Sequence, residues 1–283
     1  MASFTNFATL SYNGGTTNSN IVTGEILEAL TAVKTAVSAN YSAGDRITYA
    51  LSLVNTGTAA ITDYTVTDNL GGYTVGANTV YPLAYNAGTV RYYINGVLQT
   101  APTVTAGPPL TVTGLTVPAG GSAVLIYETT ATPVAPLATG SSITNTATIT
   151  GGGLTNPITA QATVETANSA DLTISKALSP TTVTENGQIT YTFVISNTGN
   201  TEATATGNVV VTDTFAPILR NIAVTYNGTA WTEGTNYTYN AATGVFTTLA
   251  GQITVPAATF TQNTDGTFTV TPGTATLVIT GTV

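Results

Sequence analysis

The chain has 283 residues, enough for one large or two ordinary domains, yet it carries only five basic and thirteen acidic side chains. A net charge of −8, with no basic stripe, argues against a nucleic-acid partner. The sequence contains no Cys and no His, which excludes disulfides, thiolate or imidazole metal sites and a Ser-His-Asp triad. No apolar run approaches the roughly 18 residues that span a bilayer, so no membrane partner is expected. The chain as given shows neither the basic nor the apolar region of a signal peptide.

The N-terminal part of the chain reads as two strands joined by a glycine-rich turn. An alternating run over residues 3–11 is followed by the turn Tyr12-Asn13-Gly14-Gly15 and by a second apolar run over residues 21–27. The same order of strand, glycine-rich turn and strand recurs over residues 142–164, and both copies contain a Thr-Asn-x-Ala-Thr motif. The later copy closes a domain, whereas the first copy precedes one. We therefore interpret residues 1–27 as two displaced closing strands.

The rest of the chain repeats itself once. The spacing from Lys34 to Asn55-Thr56-Gly57 equals the spacing from Lys176 to Asn197-Thr198-Gly199. Further matched blocks are residues 64–68 with 209–213, 93–96 with 225–228, and 121–127 with 273–279. Each block alternates apolar and polar residues, which is typical of half-buried strands, and Asn-Gly, Gly-Gly and Pro-Gly turns lie between the blocks. The only mildly helical stretch, residues 25–34, is predicted to be a strand because the counterpart of Lys34 lies in a clear strand.

These patterns predict an all-β fold of two tandem immunoglobulin-like antiparallel β-sandwiches. The predicted parts are the donor strands at residues 1–27, a first sandwich at 28–168 and a second sandwich at 169–283. The first sandwich closes with strands over residues 143–149 and 158–166. The second has no counterpart of these strands before Val283, the last residue given, so we expect it to expose an apolar groove beside unpaired strands.

Three destinations can be considered for the N-terminal strands: the second domain of their own chain, an edge of the first domain, or the second domain of another molecule. The strand that closes the first domain runs directly into the second domain, so by analogy the N-terminal strands close a domain that precedes their own first domain. We therefore favour donation to another molecule, which produces an open head-to-tail filament held by main-chain hydrogen bonds. The residues expected to form the donor strands are Phe4, Asn6, Phe7, Ala8, Leu10, Ile21 and Ile26. Phe4 and Phe7 cannot share one face of a regular strand.

The only two lysines, Lys34 and Lys176, occupy the same position in the two repeats. A buried lysine beside a carboxyl group and an asparagine can form an isopeptide bond, because burial favours the neutral, nucleophilic amine and the protonated carboxyl group. The residues predicted for this chemistry are Lys34, Asp68 and Asn145 in the first repeat, and Lys176, Asp213 and a donated Asn6 in the second. Duplication alone also explains matched lysines, and the aspartates and asparagines have alternative roles as turn caps or partners of nearby backbone groups.

Five motifs recur in the same order: a lysine-containing strand, an Ile-Thr-Tyr strand, an Asn-Thr-Gly triplet, a Val-Thr-Asp strand and a final Thr-Asn-x-Ala-Thr strand. They lie at residues 34, 47–49, 55–57, 66–68 and 144–148, and again at 176, 189–191, 197–199, 211–213 and, displaced, 5–9. With these motifs the chain resembles the conserved repeat, a domain of unknown function, of bacterial surface proteins, where such repeats serve as stalks and spacers. It is also similar to the subunits of clostridial endospore appendages. The resemblance implies an extracellular location on a cell or spore surface, and subunits made in the mother cell and released on lysis need no signal peptide.

The leading interpretation is a structural fibre subunit whose main partner is a second copy of itself, with other surface or spore-coat proteins as further partners. The alternative is a surface adhesin or spacer module that binds glycans or host surfaces. Such a module would use aromatic side chains that stack on sugars, for which the candidates are Tyr92, Tyr93, Trp231 and Tyr237. Aromatic residues in strands are more often core residues or cross-strand pairs.

An enzyme is not expected. Without His or Cys, only lysines and carboxylates such as the pair Asp63 and Asp68 remain for catalysis, and this pair lies on a predicted strand without a pocket signature. No cofactor or metal is expected either, because Asp45, Asp63 and Asp68 lack the ligand spacing of a calcium site.

Overall fold

The structure, a computed structural model, describes residues 2–26 and 29–283, and gives no side chains for residues 2, 3, 25 and 26. The predicted donor side chain of Ile26 and the predicted boundary between residues 27 and 28 therefore lie outside the described residues. The chain forms two compact units, one extending to Ala135 and including Ser142–Glu165, the other made of Pro136–Ser141 and Thr166–Val283. No helix within the described ranges is long and apolar enough to cross a membrane.

The strands of the first unit are, in chain order, β1 (Ala2–Asn6), β2 (Thr9–Tyr12), β3 (Gly15–Asn18), β4 (Val22–Ile26), β5 (Leu30–Ala36), β6 (Asn40–Tyr41), β7 (Arg46–Asn55), β8 (Ile61–Asp68), β9 (Tyr73–Val75), β10 (Asn78–Val80), β11 (Leu83–Tyr85), β12 (Arg91–Ile94), β13 (Val97–Leu98), β14 (Thr103–Thr105), β15 (Leu110–Val117), β16 (Ser122–Ala131), β17 (Ser142–Gly151) and β18 (Ile158–Thr166).

Two six-stranded sheets form the sandwich of the first unit. One has the order β13-β12-β16-β7-β5, with β11 also paired to β16, and the other has the order β14-β15-β8-β17-β18-β6. Along β7 the residues Ile47, Tyr49, Leu51 and Leu53 are buried. Because every second side chain of a strand points to the same face, this alternation directs one face of the sheet into the core.

The strands of the second unit are β19 (Leu172–Ser179), β20 (Gln188–Asn197), β21 (Thr212–Thr214), β22 (Arg220–Tyr226), β23 (Thr229–Trp231), β24 (Tyr237–Asn240), β25 (Val245–Thr248), β26 (Thr259–Gln262), β27 (Phe268–Thr271) and β28 (Gly273–Thr282), with a 3-10 turn at Ala205–Gly207. A five-stranded sheet has the order β19-β20-β28-β22-β23, and a three-stranded sheet has the order β21-β25-β24. The predicted all-β class of antiparallel sandwiches is confirmed, and so is a strand rather than a helix around Lys34.

The two repeats share strand registers. The ladder between β7 and β16 places Tyr49 opposite Tyr127, and the equivalent ladder between β20 and β28 places Tyr191 opposite Ile279. The Asn-Thr-Gly motif also has one role in both, because its asparagine side chain donates hydrogen bonds to two nearby backbone carbonyl groups in each repeat. The Ile-Thr-Tyr and Asn-Thr-Gly motifs therefore occupy matched positions in the two folds.

The second repeat differs from the first beside β21. In the first unit β8 lies between β15 and β17, whereas β21 pairs with β25 on one side and no strand within residues 2–26 and 29–283 pairs with its other side. The predicted strand over residues 209–213 is correspondingly wrong in length, because only residues 212–214 form a strand. A strand needs a ladder partner, and the partner that β17 supplies to residues 64–68 has no equivalent here.

Residues 2–26 form a narrow two-stranded ribbon, which we call the N-terminal hairpin. In it β1 pairs with β4 and β2 pairs with β3. The hairpin strands form ladders only with one another in the part of the chain that the structure describes.

The predicted turn around Asn13 and Gly14 is confirmed. The prediction of one continuous strand over residues 3–11 is wrong, because the ladder is interrupted at Phe7 and Ala8, where the Ala8 N–H donates to the Ser19 hydroxyl at 2.9 Å. This side-chain hydrogen bond replaces one backbone bond of the ladder and divides the ribbon into two short segments.

Candidate functional site

An ion pair joins the two sheets of the first unit. Nζ of Lys34 on β5 lies 2.5 Å from Oδ2 of Asp68 on β8, and the side chains are 0% and 1% exposed. The second carboxylate oxygen, Oδ1, accepts the N–H of Leu70 at 2.9 Å. Removing one partner of such a buried pair costs about 3–5 kcal/mol, because an uncompensated charge remains in the interior. We call Lys34, Asp68 and their surroundings the first lysine site.

Two stacked tyrosines enclose the Lys34 amine. Nζ lies 4.8 Å from the ring centroid of Tyr49 and 5.8 Å from that of Tyr127, within the range of a cation–π attraction. The two ring centroids are 5.8 Å apart. The Tyr127 hydroxyl donates a hydrogen bond to Oδ2 of Asp68, the same oxygen that receives the lysine. Tyr127 therefore holds the carboxylate in its orientation.

Asn145, the third predicted member of this site, lies on β17, two residues before Ala147, which is opposite Asp68 in the ladder. Its side chain is fully buried, and neither Oδ1 nor Nδ2 has a hydrogen-bond partner in the described part of the molecule. The hydroxyl of Tyr49 is unpaired in the same way. Each unpaired buried group costs about 1–3 kcal/mol, so packing alone does not account for an asparagine here.

The electrostatics of the first lysine site favour a reactive amine. Burial lowers the pKa of Lys34 from 10.5 to about 8, although the Coulombic attraction and the hydrogen bond of Asp68 act in the opposite direction. Burial raises the pKa of the Tyr49 and Tyr127 hydroxyls well above the ordinary value, with the Asp68 charge adding to the rise and the Asn145 side chain opposing it. The tyrosines therefore remain protonated at pH values where part of the lysine is neutral.

The second repeat contains the same ion pair in a different environment. Nζ of Lys176 lies 2.5 Å from Oδ2 of Asp213, but these side chains are 40% and 18% exposed. The amine lies 4.6 Å from the ring centroid of Tyr191, with Phe193 and Phe215 also near. We call this the second lysine site; it differs from the first in having no buried asparagine among the described residues around it and Ile279 in place of Tyr127.

The side chains that flank Lys176 on β19 expose an apolar surface, which we call the acceptor groove. Alternation along β19 puts Ile174, Lys176 and Leu178 on one face of the strand. Ile174 is 55% exposed and Leu178 is 38% exposed, whereas their counterparts Ala32 and Ala36 are half-buried. The groove thus lies between the lysine face of β19 and the unpaired edge of β21.

The predicted donor side chains lie on the surface of the N-terminal hairpin. Phe4 is 54% exposed and Leu10 is 63% exposed. The remaining predicted donor residues with described side chains are also exposed: Asn6, Phe7, Ala8 and Ile21. Asn6 is not among the partners of Lys34 and Asp68 at the first lysine site.

The ladder between β1 and β4 agrees with the strands that close the first unit at two residue pairs. Asn6 lies opposite Val22 as Asn145 lies opposite Ala162. In both ladders the residue before the asparagine is a threonine that faces another threonine. Beyond the asparagine the two differ by one residue, because Thr9 lies opposite Asn18 whereas the corresponding Thr148 lies opposite Thr159.

Most of the candidate sugar-stacking residues already have packing partners. Tyr92 is buried and donates its hydroxyl to the carbonyl of Thr116. Tyr237 is buried, and Trp231 stacks on Tyr226 with ring centroids 4.9 Å apart. Tyr93 is half-buried. These four residues do not form an exposed aromatic platform.

The acidic residues considered for metal binding or catalysis are separate from one another. Oδ2 of Asp45 accepts the N–H of Ser42 at 2.8 Å and so caps a turn. Asp63 is exposed, whereas Asp68 is buried. Over residues 2–26 and 29–283 there is no group of three or more His, Cys, Asp or Glu side chains that is able to hold a metal ion.

Comparison with known proteins gives only weak similarities. No protein-family model matches the chain, and no curated protein matches it.

Among solved structures, the chain is similar to BcpA, the major pilin subunit of Bacillus cereus, with 14% identity and a TM-score of 0.35 over 96% of this chain and 73% of the pilin. It is similar to the pilus backbone protein RrgB of Streptococcus pneumoniae, with 14% identity and a TM-score of 0.36 over 86% of this chain and 55% of that one. The N-terminal domain of a Streptococcus gordonii adhesin matches 48% of this chain over 32% of its own length, with 14% identity and a TM-score of 0.36. Similarities at these TM-scores carry no argument about function.

Sequence reasoning named Lys34 with Asp68 and Lys176 with Asp213, which the structure brings together, but missed Tyr49 and Tyr127. A signal for Tyr49 was present, because Tyr191 occupies the same place in the second repeat. Tyr127 had no such signal, because its counterpart is Ile279.

Proposed function

We propose that this protein is the structural subunit of an extracellular fibre on a cell or spore surface. In this proposal the subunits polymerise head to tail, and the N-terminal hairpin of one copy inserts into the acceptor groove of another. An isopeptide bond between Lys176 and the inserted Asn6 then locks the joint. The main partner is thus a second copy of this chain.

The observation that carries the proposal is the contrast between two ion pairs of equal length. Lys34 and Asp68 are covered by β17, whereas Lys176 and Asp213 are partly exposed beside the unpaired edge of β21. An exposed strand edge next to apolar side chains is a template for strand addition. A hairpin equivalent to β17 and β18 would cover this edge.

The N-terminal hairpin has the properties of such an insert. Asn6 lies opposite Val22 in its first ladder as Asn145 lies opposite Ala162, and its large apolar side chains are exposed. Full burial of one Phe or Leu side chain contributes about 1.5–3 kcal/mol. Phe4 and Leu10 together would therefore supply several kcal/mol of the association free energy, in addition to the new backbone hydrogen bonds.

The register of the insert follows from the first unit. Ala147 lies opposite Asp68, and Ile149 lies opposite Val66. By analogy, Ala8 of the inserted hairpin would lie opposite Asp213, and Leu10 would lie opposite Val211. Phe4, Asn6, Ala8 and Leu10 then face the core, whereas Phe7 faces outward, since residues two apart share a face.

The chemistry of the lock is an amide exchange. The neutral amine of Lys176 attacks Cγ of Asn6, the bond from Cγ to Nδ2 breaks, and ammonia leaves. Asp213, when protonated, polarises the amide carbonyl group and passes a proton to the leaving nitrogen, and it takes back the proton that Nζ releases as the new amide forms. The same reaction within the first unit would join Lys34 to Asn145 and would explain why a buried asparagine without hydrogen bonds is present there.

The test compares the full chain with a variant that lacks residues 2–20, by electron microscopy and by gel electrophoresis after boiling in detergent. The full chain is expected to form filaments and a ladder of covalent oligomers, and the variant is expected to remain a monomer. If both proteins are monomers of equal stability, the fibre proposal fails and a spacer or adhesin module becomes the better account.

A further inference from the structure

The first lysine site contains a buried hydrogen-bond donor with no visible role. The Tyr49 hydroxyl and the two polar atoms of the Asn145 side chain are buried and form no hydrogen bond of normal geometry in the described structure, although the two side chains are close enough to interact. The hydroxyl of Tyr127, in contrast, is already engaged by Asp68. A phenylalanine at position 49 would avoid the loss of free energy that an unpaired hydroxyl brings.

The position of Tyr49 connects it with the reacting groups. Its ring lies 4.8 Å from Nζ of Lys34. Burial and the Asp68 charge raise the pKa of the Tyr49 hydroxyl. The Asn145 side chain is close enough to this hydroxyl to oppose part of that rise. Tyr49 therefore lies beside both the nucleophile and the amide, and burial keeps it protonated.

The second repeat supports a role in catalysis rather than in packing alone. Tyr191 occupies the register position of Tyr49, and its ring lies 4.6 Å from Nζ of Lys176. Tyr127, by contrast, is replaced by Ile279, which has no proton to donate. Of the two tyrosines at the first lysine site, only Tyr49 has a tyrosine as its counterpart at the second lysine site.

We propose that the hydroxyl of Tyr49, and that of Tyr191 in the second repeat, is a catalytic hydrogen-bond donor to the asparagine oxygen during isopeptide formation. This inference rests on the proposed lock. When neutral Lys34 forms its bond to Cγ of Asn145, the carbonyl electron pair moves to Oδ1, and the tyrosine hydroxyl donates to this negatively charged oxygen. When the carbonyl re-forms, the bond from Cγ to Nδ2 breaks, a proton passes from Nζ through Asp68 to the leaving nitrogen, and ammonia departs. The tyrosine keeps its own proton throughout.

The test follows bond formation in the full chain made by cell-free synthesis and stopped at intervals by acid. Intact-mass spectrometry measures the loss of ammonia, and peptide mapping identifies the peptide that joins residues 34 and 145. Tyr49→Phe is expected to slow the reaction roughly 100-fold, the effect of removing one donor to a developing oxyanion. Tyr64→Phe is the matched control, because it removes another buried and unpaired hydroxyl.

The outcomes separate this inference from the proposed lock. If the natural chain loses ammonia and Tyr49→Phe does so at the same rate, the tyrosine has no catalytic role and the lock itself stands. If the natural chain never loses ammonia, both fail. A slow Tyr49→Phe variant with an unchanged urea midpoint and a normal Tyr64→Phe variant support the assignment. Tyr191→Phe gives an independent reading, because it is expected to delay the covalent ladder without preventing filaments.

Discussion

Nζ of Lys176 lies 2.5 Å from Oδ2 of Asp213, the same distance that joins Lys34 to Asp68. The two pairs differ in burial; β17 pairs with the strand that carries Asp68, whereas no strand of the described chain pairs with the corresponding edge of β21. In the proposed fibre, a strand of another copy makes the second lysine site equivalent to the first.

The difference in burial predicts a difference in stability. In an Asn145→Ala background lacking residues 2–20, so that neither bond contributes, Asp68→Ala should lower the unfolding free energy of the first unit by about 3–5 kcal/mol, because Lys34 remains buried without a partner. Asp213→Ala should lower that of the second unit by less than about 1 kcal/mol, because solvent screens the exposed pair. Urea denaturation of both variants measures this contrast, and equal losses would refute it.

The lowered pKa of Lys34 predicts a pH dependence of stability. The unfolded chain binds the lysine proton up to about pH 10.5, whereas the folded chain releases it near pH 8. Between these values the unfolded state holds more protons, so the unfolding free energy of the Asn145→Ala variant should rise with pH across this window. Lys34→Met in the same background removes the titrating group and should abolish the rise.

The same pKa predicts the pH dependence of bond formation in the first unit. The reactive species is the neutral amine, so the rate of ammonia loss should increase about tenfold per pH unit up to pH 8 and level off above it. A rate that falls between pH 6 and pH 8 would contradict attack by the amine.

The two faces of the donor strand should differ in importance. Phe4→Ser and Leu10→Ser should each weaken polymerisation at least tenfold, because each removes a large side chain from the core-facing set. Phe7→Ser is the matched control; it changes a side chain of similar exposure on the opposite face and should have little effect. The critical concentration for polymerisation, determined by light scattering, gives the comparison, and an equal effect of Phe4→Ser and Phe7→Ser would reject the register.

The covalent lock should depend on one asparagine of the hairpin. Asn6→Ala and Lys176→Arg should each abolish the boiling-resistant ladder while filaments still form, because strand insertion does not need the amide bond. Asn20→Ala, an exposed asparagine of the same hairpin, serves as the control and should keep the ladder. A ladder that survives in Asn6→Ala would assign the bond to another residue.

The sequence contained enough information to predict the repeat and its strands. The equal spacing from each lysine to its Asn-Thr-Gly triplet located β5 with β7 and β19 with β20, and the alternation of apolar residues identified the buried faces. These features follow from the alternation of residue types along each strand and from the duplication, and both are visible in the sequence. The donor residues and the isopeptide groups were also named from the repeat alone, and their roles remain predictions.

The rest depended on how the sheets pack. The hydrogen bond from Tyr127 to Asp68 joins the two sheets and links residues 59 positions apart in the sequence, so a local sequence pattern does not predict it. The break in the hairpin ladder at Ala8 arises from one side-chain hydrogen bond with Ser19, and the shortening of β21 arises from the lack of a neighbouring strand. Each of these is a tertiary effect that overrides strand propensity.

Mixing two complementary variants tests strand donation most directly. One variant lacks residues 2–20 and keeps the acceptor groove, and the other carries Ile174→Glu with Leu178→Glu, which put carboxylates into the groove and leave the hairpin intact. Size-exclusion chromatography with light scattering should show each variant alone as a monomer and the mixture as a one-to-one dimer that grows no further, while the natural chain forms filaments. If the mixture remains monomeric although the natural chain polymerises, or if the variant without residues 2–20 forms filaments alone, the hairpin does not complete the second sandwich of another copy.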